Sequence, residues 1–268
     1  MANGITRLVT MSQSRELQNH IKQLEDISSI LNAMKNLAFM TVHKLTRLQE
    51  LQNQIVQHIE YNAQNFLNHY SVTTNGYQTA IYIVIGSERG FCGDFNERLL
   101  ESLPKNAQII AIGSRLIARC DSALAELFGA NAEEEIQPLL EQLLEQLAKH
   151  PNRKLIAVYH DYDNNQIQHR QILPAFTQLP NKSSESPLLN LTPAQFFAEL
   201  LEQYVLAVFY DIFYISLLTE NRIRLQHLEG AVQHLEDQTN KLQRKWQTYR
   251  QEEITEEIEV ILLNTEQF

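Results

Sequence analysis

The strongest constraint on this chain is where its helix breakers fall. All seven prolines lie between Pro104 and Pro193, and six of the eight glycines lie between Gly76 and Gly129. Residues 5–75 and 194–268 therefore hold no proline, and their only glycine is Gly230. In a helix interior a glycine costs about 1 kcal/mol and a proline about 3. Two stretches free of that cost, with every proline between them, predict a long helix, a compact middle and a second long helix. The corresponding boundaries are 1–75, 76–193 and 194–268.

Apolar periodicity agrees. Leu24, Ile27, Leu31, Met34, Ala38, Thr41, Leu45 and Leu48 follow alternating steps of three and four, with Ile55 and Ile59 beyond them. Leu225, Leu228, Val232, Leu235, Thr239, Leu242, Trp246 and Tyr249 keep the same rhythm. This is a narrow coiled-coil seam, not the broad face of an ordinary globular helix. A helix of some fifty-five residues reaches roughly 80 Å, beyond any domain this chain can build around it. Parts of both helices must therefore project, and each can cover the other's seam. QYVLAVFYDIFYISLL (203–218) is apolar nearly all round and is expected to pack on the middle domain. Its aromatic stripe of Phe209, Tyr210, Phe213 and Tyr214 reads as core packing.

In the middle, residues 79–85, 107–112 and 155–160 are short, almost continuous apolar runs, the form of strands covered on both faces. Helical patterns separate them at 94–102, 114–127 and 133–148. The alternation predicts a small Rossmann-like α/β domain. Residues 166–173 look like an antiparallel partner after a DYDNN turn, and PNKSSESP (180–187) reads as a flexible connection.

One loop in this domain invites a chemical reading. IGSERGFCGDFN (85–96) passes from a strand through three glycines into a helix, the parts of a phosphate cradle. The residues argue against it. There is no Lys-Ser or Lys-Thr of a Walker A loop and no G-x-G-x-x-G, and Glu88 and Asp94 would repel a pyrophosphate. The nine histidines show no zinc spacing. His160, Asp161 and Asp163 sit at a strand end where a solvated role is expected, and Glu133–Glu135 suits a helix N-terminus. Glu252, Glu253, Glu256, Glu257 and Glu259 read as a solvated helix face. The sequence thus offers no catalytic, cofactor or metal site.

Charge and cysteines narrow the classes further. With 22 Lys/Arg against 32 Asp/Glu the net charge is −10. Residues 199–268 carry six basic against thirteen acidic side chains, the opposite of a nucleic-acid footprint. Cys92 and Cys120 are too few for a disulfide framework and read as reduced thiols. The chain opens with no signal-peptide pattern, and its apolar runs look too short for a membrane span. A soluble protein, or one peripheral to a membrane, is expected.

Three stretches carry a resemblance to the gamma subunit of F-type ATP synthases. ISSILNAMKNLAFMTVHKL (27–45) looks like the family's "KITKAMKMVAAAKL" through Ala33, Met34, Lys35 and Ala38. The loop at 85–96 is similar to "SDRGLCGGFN". Glu220 and Arg224 stand where the family has "SEHAAR", and RQEEITEEI (250–258) looks like "RQAAITQEL", with the spacing from Arg224 to Thr255 kept without a gap. The resemblance implies an antiparallel, left-handed coiled coil set in a hexamer of three alpha and three beta subunits. It places the α/β foot against the epsilon subunit and the membrane c-ring, and leaves ATP chemistry to the beta subunits. It implies a peripheral location on the cytoplasmic face of a bacterial inner membrane.

Residue by residue, the resemblance implies that Met34 and Lys35 lie where shaft and beta subunits meet. Arg250 and Gln251 match the pair that engages a beta-subunit loop, and Arg224, Thr255 and Glu257 match positions that pair the helices or support coupling. Departures mark a divergent member, such as the gamma subunit of an alternate bacterial F-type ATPase. Asn19, His20, Glu25, Ser28 and Ser29 replace residues that are usually basic, and about a dozen residues precede Arg15. The plant-type regulatory cysteine insertion is missing. The rival readings are a free-standing coiled-coil adaptor and a nucleotide-dependent enzyme using residues 79–174.

Overall fold

A computed structural model describes residues 2–70, 76, 78–161, 166–176 and 188–265, with backbone alone for 2–13, 78 and 263–265. Its two long helices are α1 (Ala2–His69, 68 residues) and α5 (Pro193–Thr265, 73 residues). α5 begins with a reciprocal cap. The Thr192 hydroxyl lies 2.8 Å from Gln195 Oε1, and Thr192 Oγ1 receives the Gln195 N–H at 3.4 Å. Pro193, with its fixed φ, occupies the first helical position. The DYDNN turn from residue 162 and the PNKSSESP connection lie outside the described residues.

The chain divides into two compact units, Met1–Leu37 with Gln226–Phe268, and Ala38–Leu225. In the first, α1 and α5 lie side by side and antiparallel. Leu31 packs with Leu228 and Val232, flanked by Met34, Ala231 and Leu235, while the lower-numbered Glu25 meets the higher-numbered Gln243 at 3.3 Å.

Burial is sparser than the expected seam. On α1, Leu24, Leu31, Ala38 and Leu45 are buried at strict seven-residue intervals, but Ile27 between them is 46% exposed. Further on, Ile55 is 50% exposed and its neighbour Val56 only 2%. A straight helix drifts by about 20° per heptad against a 3.5-residue repeat. The buried stripe accordingly steps eleven residues, from Leu45 to Val56, and then continues to Ala63 and Phe66.

The second unit carries a five-stranded sheet of order β3-β2-β1-β4-β5. β1 (Gln78–Ile85), β2 (Gln108–Ile112), β3 (Ala125–Leu127) and β4 (Arg153–Asp161) are parallel, and β5 (Gln166–Leu173) runs antiparallel to β4. Side chains alternate between two cores. Ile81, Ile83 and Ile85 share one with Phe209 and Phe213 of α5 and with Leu139 and Leu143 of α4 (Ile136–Ala148). Val84, Ala111 and Val158 share the other with Phe95 and Leu99 of α2 (Phe95–Glu101).

The expected helix at 114–127 is a correction. Only α3 (Ser114–Ile117) is helical there, and the chain then turns and adds β3 beside β2, pairing Ile110 with Ala125 and Ile112 with Leu127. Leu116 and Leu127 are both buried, but in different cores, on opposite sides of that turn.

The hydropathy of α5 corrects another expectation. It contains an 18-residue window of mean hydropathy 1.4, long and apolar enough to cross a membrane, yet half of that window is buried inside the protein. Phe209 and Phe213, the inner edge of the aromatic stripe, stack with centroids 6.2 Å apart in the sheet core, as expected for packing residues.

Candidate functional site

The loop from Gly86 to Asp94 leaves the carboxyl end of β1, where open α/β sheets usually bind ligands. Its backbone is pressed against the end of β2. A Cβ on Gly86 would stand 2.4 Å from that of Leu116, and Gly113, at φ +109°, comes within 2.8–2.9 Å of the Gly86 carbonyl and Ser87 oxygen in the same sense. Gly86 N donates to Ile112 O at 2.9 Å, and Arg115 N to Ser87 O at 3.1 Å. Ser87 and Asn96 close the turn with two bonds of 2.9 Å.

Three N–H groups of the loop, those of Ser87, Glu88 and Arg89, are already bonded to side-chain oxygens. Glu88 turns its carboxylate inward and accepts Ser114 N at 2.8 Å, Gly129 N at 2.7 Å and the Ser114 hydroxyl. The acidic residue that spoils the phosphate-cradle motif in the sequence is thus turned onto the segments that follow β2 and β3.

A second carboxylate holds the loop from the other side. Glu220 of α5 accepts the backbone N–H groups of Glu88 (3.4 Å) and Arg89 (3.2 Å) and is ion-paired with Arg224, one turn on. Both side chains are 5% exposed. Arg224 also donates to Gly90 O at 3.1 Å and Asn221 Oδ1 at 2.9 Å, with Cys92 Sγ at 3.6 Å. Burial pushes the Glu220 carboxyl above its usual range, with Arg224 pulling the other way. Burial and the Glu220 charge push the Cys92 thiol up to about 12. A thiol in that state is neutral and unreactive, a structural part of the latch.

A profile of the family described as "ATP synthase" matches residues 13–264. The chain belongs to the ATP synthase gamma family. It is 22% identical to the ATP synthase gamma chain of Clostridium botulinum (strain Langeland) over 269 residues, covering 92% of this chain and 95% of that protein. The gamma chain of Mycoplasma capricolum is 23% identical over 272 residues with the same coverage. Among solved structures, a chain of the Euglena gracilis mitochondrial ATP synthase OSCP/F1/c-ring assembly matches with TM-score 0.66 and 15% identity, over 95% of this chain and 94% of that one. A chain of the Tetrahymena thermophila central stalk and c-ring matches with TM-score 0.53 and 17% identity, over 75% and 99%.

Within this gamma-family chain the positions singled out from the sequence fall in two places. Arg224 lies in the loop latch of the second unit. The others lie in the first unit. Met34 is half-buried against the Leu31–Leu228–Val232 cluster, and Lys35 beside it is half-buried. Arg250 ion-pairs with the buried Glu253 at 3.0 Å, Gln251 is exposed, and the Thr255 hydroxyl donates to Gln251 O at 2.9 Å. Glu257 is half-buried.

Two expectations about acidic and histidine side chains change. Glu253, expected on a solvated face, is 7% exposed, because it lies four residues beyond Tyr249 and continues the stripe of Leu242, Trp246 and Tyr249. His160, expected to be solvated, is 4% exposed, with Nε2 2.7 Å from Phe95 O and its ring 4.0 Å from that of Phe95. Burial pushes its imidazole below the usual histidine range. Its strand continues inside the second core, which a position near a turn concealed. Asp161 is half-buried, and Asp163 is outside the described residues. The Glu133–Glu135 run forms a 3-10 turn before α4, and Lys44 of α1 pairs with Glu133 and Glu134. Sequence reasoning missed Glu88 and Glu220 as partners of one loop. A Glu-x-x-x-Arg pair inside an apolar helix was the available signal for the second.

Proposed function

We propose that this chain is the central rotor shaft of an F-type ATP synthase, coupling ion-driven rotation of a membrane ring to conformational cycling of catalytic beta subunits. The reading is carried by one observation above all, the family match across residues 13–264. The gamma-chain relatives align over almost their full length. Within the first unit α1 and α5 form an antiparallel, left-handed coiled coil held by a hexamer of three alpha and three beta subunits. Residues 76–193 form a foot that meets the epsilon subunit and the c-ring. The chain itself is non-catalytic and peripheral to the cytoplasmic face of a bacterial inner membrane.

The residue chemistry suits a transmission part. Met34, Lys35, Arg250, Gln251, Thr255 and Glu257 present mixed apolar and polar contacts to the stator, and Arg224 keeps the foot loop seated on α5. The loop's N–H groups held by Glu220, and Glu88 bonded to the neighbouring strand ends, support a foot that does no nucleotide chemistry.

Co-purification on a tagged chain tests the reading. Recovery of alpha and beta subunits in threefold excess over this chain is expected. A monodisperse homodimer that ignores both subunits would favour the adaptor, and tight nucleotide binding by the isolated chain would favour the enzyme.

A further inference from the structure

Among the described residues β5 is the outer strand of the sheet, hydrogen-bonded along one side, to β4. One of its residues reaches both long helices. Arg170 Nη2 lies 3.0 Å from Glu60 Oε1 on α1, and Nη1 lies 3.2 Å from Asp211 Oδ2 on α5. The Asp211 side chain is wholly buried and those of Arg170 and Glu60 are partly so. Tyr159 of β4 and Tyr204 of α5 face the guanidinium, and Gln49 of α1 stands close to Asp211. Even so, Asp211 Oδ1 finds no donor in bonding geometry.

As a stabilising device this is a poor choice. A buried ion cluster is often matched or bettered by apolar side chains of similar volume, and an unbonded carboxylate oxygen adds a further cost. Asp211 interrupts the apolar run LAVFYDIFYISLL, where an apolar side chain would pack without penalty. What the cluster provides is directional. It joins three elements distant in sequence through one planar, bidentate group, which fixes their relative positions.

We propose that Arg170, shared between Glu60 and Asp211, is a positioning residue that ties the outer strand of the sheet to α1 and α5 at once, so that load applied to the sheet reaches both helices together. The proposal rests on the rotor reading above, where torque enters at the foot and leaves along the helices. The two ties differ in chemistry. Burial holds the Asp211 carboxyl above the usual carboxylate range, with Glu60 adding to the rise and Arg170 and Gln49 opposing it. As pH falls, Asp211 takes up a proton and its ion pair with Arg170 is lost. Asp211→Asn makes that loss permanent at every pH while keeping the side chain's shape.

The test uses the whole complex, reassembled with this chain in lipid vesicles. ATP hydrolysis is followed beside ion pumping, the latter with a potential-sensitive dye that responds to either ion. Arg170→Met is expected to leave hydrolysis nearly unchanged and to lower pumping per ATP about threefold. Arg170→Lys, a point charge without the bidentate fork, should restore part of the loss. The wild-type ratio should fall as pH is lowered, and Asp211→Asn should hold the low value throughout. Wild-type pumping by Arg170→Met, or an Asp211→Asn profile that overlays the wild type, overturns the proposal. If Arg170→Met does not assemble, the Asp211→Asn profile decides. If the wild-type chain assembles with no alpha or beta subunit, the rotor reading itself fails. The tie is then read in the free chain, where Arg170→Met should speed amide exchange across β5 about tenfold. Unchanged exchange there rejects the tie independently.

Discussion

The Glu88 carboxylate accepts the Ser114 backbone N–H at 2.8 Å, so the end of β1 is bonded to the first turn after β2 by an anion the chain carries itself. The same carboxylate receives Gly129 N at 2.7 Å, beyond β3. Three consecutive strand ends of the sheet are thereby pinned by one side chain. Glu88→Ala leaves two backbone donors without partners, each costing about 1–3 kcal/mol if it stays unpaired. Glu88→Gln keeps an acceptor and should lose less. Urea denaturation of the isolated chain measures both, and a Glu88→Ala midpoint equal to wild type would contradict the pinning.

Glu220 and Arg224 form the other half of the loop's support. Removing one member of a buried pair costs about 3–5 kcal/mol, because the survivor is left charged and unpaired. Arg224→Met and Glu220→Gln should each destabilise strongly, and the double variant should destabilise by less than the sum. A double-mutant cycle reads the coupling directly. Strict additivity would mean that the two side chains act independently of one another.

Cys92 and Cys120 should behave as two chemically different thiols. Cys92 is buried with its thiol pushed up to about 12, whereas Cys120 is half-buried. At pH 8 a thiol-directed disulfide reagent is expected to titrate a single group quickly in the native protein and both in urea. Two fast native equivalents would show that the latch around Cys92 opens freely.

The breaker distribution made both long helices legible in the sequence, since no proline or glycine stands between residues 5 and 75 and α1 runs unbroken from Ala2 to His69. The central strands were legible for a similar reason: residues 79–85 are apolar on both faces because both faces are covered. β3 was not, because Ala125–Leu127 offers one buried side chain and no alternation. The contacts at the loop and the clamp were hidden by distance along the chain. Glu88 to Glu220 and Arg170 to Glu60 join residues more than a hundred positions apart, and no local pattern encodes such partners. Ile27 and Ile55 mark the limit of seam reading, since a straight helix cannot keep every position of a seven-residue repeat against its neighbour.

His160 sets a pH dependence whose sign can be worked out. Burial depresses its folded-state value, so the unfolded chain binds the proton more readily. Its contribution is therefore intact above the unfolded histidine value of about 6.5 and is lost as pH falls below it. The melting temperature of wild type should drop between pH 7.5 and 5.5 by more than that of His160→Gln. Because Asp211 and Glu220 are shifted the opposite way, only the difference between the two proteins isolates the histidine. Parallel curves for the two would remove His160 from the acid response.

Gly230 is the one glycine inside α5, and an added Cβ there meets no atom within 4 Å. Its backbone is helical, so alanine fits both the conformation and the space. Gly230→Ala should then stabilise the unit formed by residues 1–37 and 226–268 by about 0.4–1 kcal/mol, chiefly by narrowing the unfolded ensemble. The gain should appear as slower amide exchange in α5 around residue 230, with exchange in the sheet unchanged. A loss of stability would mean that the helix bends at Gly230 in solution and that a side chain obstructs the bend. Should Gly230→Ala stabilise the chain yet slow ATP-driven rotation in the assembled complex, the glycine is there for compliance in the shaft, and its cost in stability has a mechanical use.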